Sequence, residues 1–180
     1  MVYVFLADGF EEVEALTPVD YLRRSGVEVK TVGIAGKAVC GSHGIPVTAD
    51  CTPEETTLES LEMIVLPGGL PGTLHLEESG WVQSMIDACV ARKIPVAAIC
   101  AAPSILGHKG LLRGRTATCA HGFEDALLGA HCTGAPVEID GDFITARGAG
   151  AANSFAFALI ARLHSKEAAE KVAAAVRWEK

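Results

Sequence analysis

Long hydrophobic runs, basic clusters and paired-cysteine motifs are all missing from this chain of 180 residues. No stretch reaches the roughly 18 uninterrupted apolar residues that a membrane-spanning helix needs. The N-terminus, Met1-Val2-Tyr3-Val4-Phe5-Leu6 followed by Asp8, has neither the positive start nor the small-residue cleavage site of a secretory signal. A cytoplasmic location is therefore expected. Net charge is −7 and the densest basic stretch is Arg113 to Arg115, which leaves no basic stripe for nucleic acid. The six cysteines are Cys40, Cys51, Cys89, Cys100, Cys119 and Cys132. None shows Cys-x-x-Cys spacing, which argues against a zinc ribbon or a thioredoxin motif. In a reducing compartment they are expected as free thiols. The six histidines form no helical metal pair, so no metal site is expected. Internal repeats, linkers and low-complexity segments are also missing, so residues 1–180 read as one domain.

What is present is an alternation of short apolar runs and amphipathic stretches. Val2–Ala7, Val27–Val32, Met63–Leu66 and Ile94–Ile99 read as strands, the last apolar throughout, as a parallel strand covered on both faces should be. Helices are expected over Glu11–Ser25, Gly80–Arg92, Asn153–Leu163 and Lys166–Val176. In the second of these, Val82, Met85, Ile86 and Cys89 fall on one face. Thr17-Pro18-Val19-Asp20 resembles a cap, so the first helix is expected to kink or restart just after Glu14. Residues 38–51 read as a small hairpin or excursion, and 133–146 as an antiparallel hairpin turning at Asp140-Gly141. The alternation predicts an α/β fold with a mostly parallel sheet and helices on both faces.

The strongest functional signal is Ile94-Pro95-Val96-Ala97-Ala98-Ile99-Cys100-Ala101-Ala102-Pro103-Ser104. A buried strand runs directly into a reactive residue type, then small residues, then a helix that Pro103 can begin. This is the layout of a nucleophile elbow, although the usual flanking glycines are replaced, with Ile99 and Ala102 near their places. The start of the next helix is expected to lower the thiol pKa of Cys100; an ordinary buried cysteine ending a strand is the competing interpretation. Leu66-Pro67-Gly68-Gly69-Leu70-Pro71-Gly72 is a loop whose amides can approach a ligand, and the amides of Gly69 and Ala101 together would make an oxyanion hole. It lacks the Lys-Ser/Thr of a phosphate-binding loop, so no nucleotide is expected. Glu11 and Glu12 read as complements to a helix start. Glu14, flanked by Val13, Ala15 and Leu16, reads as a desolvated carboxyl with a raised pKa suited to acid/base work.

Taken together, Ala7-Asp8-Gly9-Phe10-Glu11-Glu12-Val13-Glu14, Leu66-Pro67-Gly68-Gly69, Ala98-Ile99-Cys100-Ala101-Ala102-Pro103 and Arg147-Gly148-Ala149-Gly150 resemble the ThiJ/PfpI superfamily, and within it the DJ-one (Parkinson-disease-associated deglycase) branch. The resemblance implies a flavodoxin-like three-layer sandwich and a homodimer. It implies Cys100 as nucleophile and oxidation-sensitive thiol, Glu14 as the acid touching it, and Gly69 with Ala101 as oxyanion-stabilising amides. Gly68 and Arg147 are carried over as substrate-binding positions. The implied function is a cofactor-independent glyoxalase or protein deglycase acting on 2-oxoaldehydes such as methylglyoxal, or on their protein adducts, with a part in oxidative-stress response. The alternatives are a redox sensor or chaperone working through oxidation of Cys100, and, more weakly, a cysteine peptidase or amidase. Two departures stand out. The branch commonly carries His or Tyr followed by Pro near the nucleophile, where this chain has Ala120-His121, so that His121, displaced by one position, is the third candidate catalytic residue, a proton shuttle beside Glu14; and a common Arg is replaced by His43.

Overall fold

The computed structural model describes residues 1–179. The elements run β1 (Val2–Leu6), α1 (Glu12–Arg24), β2 (Val29–Gly33), β3 (Ala38–Cys40), β4 (Pro46–Thr48), β5 (Met63–Leu66), α2 (Gly72–Glu78), α3 (Gly80–Arg92), β6 (Val96–Ile99), α4 (Pro103–His108), β7 (Thr116–Ala117), β8 (His131–Cys132), β9 (Val137–Asp140), β10 (Phe143–Ala146), α5 (Ala152–Leu163) and α6 (Lys166–Ala175). Six strands form one sheet in the order β2-β1-β5-β6-β10-β9. The first five are parallel and β9 runs antiparallel at the edge. The expected hairpin over 133–146 is therefore present, but its second strand, β10, also extends the parallel sheet beside β6. No helix among the described residues is long and apolar enough to cross a membrane.

Period-two alternation sends successive side chains to opposite faces of the sheet, and each face has its own core. Tyr3, Phe5, Ile64, Leu66, Val96 and Ala98 join Val82, Met85, Ile86 and Cys89 of α3 in one cluster. Val2, Val4, Leu6, Met63, Val65, Ala97 and Ile99 join residues of α1, α5 and α6 in the other. This is the three-layer, flavodoxin-like α/β arrangement, and it explains why the strands read as unbroken apolar runs. Sequence order reverses across β1, with β2 on one side and β5 on the other. Such a switch point opens a crevice at the carboxyl ends of the strands.

Two expectations need correction. Helix α1 does not restart after Glu14; it runs unbroken from Glu12 to Arg24 with Pro18 inside it. The cost of the missing amide falls on one hydrogen bond to the Glu14 carbonyl, while Pro18 itself is buried and packs. Helix α2 was not foreseen, because Leu70 to Glu78 is short and its start is masked by glycine and proline.

The two faces of α3 give a stability prediction. Ile86 is fully buried, whereas Val90 is 37% exposed. Ile86→Ala should lower stability by about 2–5 kcal/mol, and Val90→Ala should stay within about 0.5 kcal/mol of wild type. Urea midpoints at constant m-value check this, and equal losses would mean that α3 is not seated as described.

Candidate active site

Three loops converge at the carboxyl ends of β1, β5 and β6. Cys100 follows β6 with φ +65°, in the left-handed region, which costs a non-glycine residue about 1–3 kcal/mol and persists only where the surroundings over-determine it. They do so here. The Cys100 amide donates to the Ala146 carbonyl at the end of β10 (2.8 Å), and its carbonyl accepts from the Ala120 amide (2.7 Å). The thiol is thereby turned off the strand axis toward α1. The elbow read from the sequence is present, without its usual glycines.

Glu14, in the first turn of α1, is 1% exposed. Its Oε2 accepts from the Gly68 amide at 3.1 Å. The Cys100 thiol and the Ala149 backbone also act on its carboxyl, each favouring the ionised form. The loop after β5 must come very close to make this fit. A Cβ on Gly68 would lie 2.5 Å from Glu14 Oε2 and 2.6 Å from Cys100 Cβ, so only glycine is accommodated. Gly148 closes another side: a Cβ there would sit 3.9 Å from Cys100 Sγ. The amides of Ala101 and Gly69 both hydrogen-bond toward the Cys100 sulfur.

Burial pushes the Glu14 carboxyl up to about 7, with Glu11 adding to the rise and the bonds to Cys100, Gly68 and Ala149 opposing it. The Cys100 thiol moves the opposite way from the sequence-based expectation. Burial, then the charge and hydrogen bond of Glu14, push it up to about 12, while the Ala101 and Gly69 amides pull it down. The expected helix-start effect is weak because α4 begins only at Pro103 and is six residues long. Two adjacent acids in one buried space titrate as a unit. Between pH values of about 7 and about 12 the pair therefore carries one negative charge and one proton, with Glu14 ionised and the sulfur keeping its hydrogen.

Glu14 is thus the desolvated carboxyl that its sequence context indicated, but not because of its chain neighbours. Val13 is 49% exposed, and adjacent helical positions face different directions. The fold packed around Glu14 buries it, and Gly68, Cys100 and Ala149 act on its carboxyl from distant parts of the chain. Glu12 is also more than a helix-start charge. It is buried and accepts from the His43 amide (2.9 Å) and from the His43 ring (3.0 Å). Although burial opposes it, the bond from the His43 side chain and those from backbone amides bring its carboxyl down to about 2. His43 therefore ties the β3–β4 hairpin to α1. Glu11, Glu12 and His43 each place a ligand atom within 4.8 Å of one another, but Glu12 is already engaged by these bonds.

His121 does not join the thiol–carboxyl pair. Its side chain is fully in solvent, at 103% of the reference exposure, paired with Glu124 at 3.2 Å. It stands with Arg147, Gly148, Cys119 and Gly134 around an open cavity of about 420 Å³. Arg147 is exposed, and its guanidinium donates to the Gly134 carbonyl (3.3 Å). At position 120 it is the backbone that matters, since the Ala120 amide pins the elbow. Sequence reasoning missed this pin and the Ala149 contact with Glu14; the run Arg147-Gly148-Ala149-Gly150 was the signal available for the latter.

A family model described as the DJ-1/PfpI family matches residues 1–162. The chain belongs to that family. It is 37% identical over 176 residues to the Parkinson disease protein 7 homolog of Danio rerio, covering 95% of this chain and 93% of the relative. A protein named as a deglycase in Pyrococcus abyssi is 33% identical over 149 residues, covering 81% of this chain and 89% of that one. Among solved structures, a DJ-1 superfamily protein of Salmonella typhimurium superposes with a TM-score of 0.94 at 34% identity, covering 99% of this chain and 98% of the other. Oxidized DJ-1 of Toxoplasma gondii gives 0.94 at 32% identity, with the same coverage.

A raised carboxyl has a thermodynamic signature. Below pH 4.5, Glu14 is protonated in both folded and unfolded chains; between 4.5 and about 7 only the unfolded chain ionises. Its contribution is therefore fully present below pH 4.5 and lost as pH rises through about 7. Glu14→Gln should gain stability relative to wild type across that window. Urea midpoints measured along it test the sign, and a constant difference between the two proteins would show that burial does not shift Glu14.

Proposed function

We propose that this DJ-1/PfpI member is a cysteine-dependent, cofactor-independent glyoxalase or protein deglycase acting on methylglyoxal-type 2-oxoaldehydes or their protein adducts. The observation that carries it is the one-proton pair of Cys100 and Glu14, faced by two backbone amides. As the sulfur attacks the aldehyde carbon, Glu14 takes the thiol proton and a C–S bond forms. The carbonyl electron pair moves to oxygen, where the Gly69 and Ala101 amides hold it. Glu14 returns the proton to that oxygen, giving a hemithioacetal. It then removes the hydrogen from the same carbon, and the electrons pass through an enediolate to the neighbouring carbonyl. Reprotonation of the second carbon leaves a thioester of the 2-hydroxy acid, and water releases the acid and restores the thiol. In sum, the aldehyde and water become lactate with no external oxidant or reductant. With a hemiaminal adduct the C–N bond breaks as the C–S bond forms, and the thiol proton passes by way of Glu14 to the departing amine, giving the same hemithioacetal. Gly68 leaves room beside the sulfur, and Arg147 at the cavity mouth is the position suited to an anionic product. A homodimer in the cytoplasm remains part of this reading, in keeping with the family resemblance.

A redox-sensing or chaperone role through Cys100 is the second reading, favoured by the oxidised state named for the Toxoplasma relative. The Glu14 hydrogen bond and the two amides would hold a sulfinate at the same sulfur. A peptidase or amidase is less well supported, because His121 stands in solvent and the thiol has no imidazole partner.

Lactate formation from methylglyoxal without glutathione tests the first reading. Cys100→Ser should lose at least about 100-fold, and Glu14→Gln should lose far more than Glu11→Gln, whereas His121→Ala should keep its rate because the roughly 100-fold or larger contribution of a positioned acid/base is not made there. The rate should fall below about pH 7, where the pair gains its second proton, and this inflection should vanish in Glu14→Gln. An active Cys100→Ser protein would overturn the assignment. Mild peroxide should place two oxygens on Cys100 and stop turnover, read by peptide mass mapping beside the lactate assay. Full turnover with the sulfinate in place would remove Cys100 as nucleophile.

A further inference from the structure

Two cysteines outside the Cys100–Glu14 pair meet beside the same cavity. Strands β7 and β8 pair in parallel with Ala117 opposite Cys132, and the Thr133 amide donates to the Ala117 carbonyl at 3.0 Å. Cys119 lies two residues beyond Ala117, the spacing that returns a side chain to the same face of an extended segment. The packing agrees: Ala117 and Cys119 are buried in one core cluster, and Cys132 packs against that same cluster. Cys119 is buried while Cys132 is partly open to solvent. Cys119 also lines the cavity that Arg147 and Gly148 border.

We propose that Cys119 and Cys132 form a redox-active dithiol in the wall of this cavity, closed to a disulfide by a hydroperoxide. The other buried cysteines lack such a partner. The groups acting on Cys51 and Cys89 include no thiol. On Cys119, burial and then the Cys132 thiol push the pKa up to about 12. The division of labour follows from exposure. The Cys132 sulfur attacks the peroxide, the O–O bond breaks, and a sulfenic acid forms with release of water or alcohol. The Cys119 sulfur then attacks the sulfenic sulfur, the S–O bond breaks, and a second water leaves as the S–S bond forms. Two thiols are oxidised by two electrons and one peroxide is reduced.

Closing the bond has a local cost that also gives it a consequence. Cys119 lies beyond the end of two-residue β7 and Cys132 ends two-residue β8, so forming an S–S bond pulls the two short segments together. Gly134, two residues beyond Cys132, accepts from the Arg147 guanidinium, and the Arg147 amide donates to Pro136. The movement therefore reaches the cavity mouth next to Gly148, linking the oxidation state of the dithiol to the geometry around Cys100.

The test uses the Cys100→Ser protein, so its outcome does not depend on the proposed activity. After mild hydrogen peroxide, the intact mass should fall by two hydrogen atoms. A non-reduced digest should yield a peptide joining Cys119 to Cys132, and dithiothreitol should restore alkylation of both. The linked peptide should be missing from the Cys100→Ser/Cys132→Ser protein, whose change at a partly exposed site spares the core. The proposal is overturned if the two thiols instead gain oxygen separately, if both alkylate after peroxide as fast as before, or if the link maps to another pair.

Discussion

The site depends on one proton held between a buried carboxyl and a partly exposed thiol. Burial raises Glu14 to about 7 against the bond from Cys100, and burial together with the charge of Glu14 raises Cys100 to about 12. Burial thus gives a carboxyl near-neutral basicity, a role for which many sites employ histidine. It also explains how the protein can dispense with an imidazole at position 120 and leave His121 in solvent.

Such a pair is costly to build, and the fold meets the cost in backbone. Cys100 sits at positive φ because two hydrogen bonds, to Ala146 and from Ala120, hold it from opposite sides. Gly68 brings an amide to Glu14 where any side chain would collide, and Gly148, at φ +150°, lies at contact distance beside the sulfur. Rigid strands deliver all of these loops to the switch point of the sheet, where β1 and β5 diverge in chain order. Cys119, just beyond β7, and Cys132, on β8, stand outside the six-stranded sheet.

The β3–β4 hairpin shows how far the neighbourhood of the site is organised by charge. Glu12, in the same helix turn as Glu14, draws in the His43 amide and ring, and Ser42 bonds to both Glu11 and Glu12. This holds the excursion over the start of α1. A Cβ on Gly41 would lie 2.2 Å from the Glu12 carboxylate, so the hairpin must pass as bare backbone. Glu11 and Glu14 feel each other within this arrangement, and the charge of Glu11 is one reason the Glu14 proton is retained.

Much of this was legible in the residues alone. The apolar runs at Val2–Leu6, Met63–Leu66 and Val96–Ile99 are strands because both sheet faces are covered, and period and composition report that directly. Gly80–Arg92 is a helix whose buried face is the one its spacing indicated. Cys100 was marked by a strand ending in small residues, and Glu14 by an apolar context. Other features depend on contacts distant in sequence. Pro18 reads as a boundary locally, yet tertiary packing carries α1 through it. The direction of the Cys100 pKa depends on burial and then on Glu14, 86 residues away in sequence, rather than on the helix that follows the thiol. The pinning amide of Ala120, the bond from Glu12 to His43 and the meeting of Cys119 with Cys132 are all long-range pairings. Local sequence determined which segments fold and which residue types could react; the packing of distant loops decided how those residues share protons, because desolvation and hydrogen bonding are set by neighbours in space.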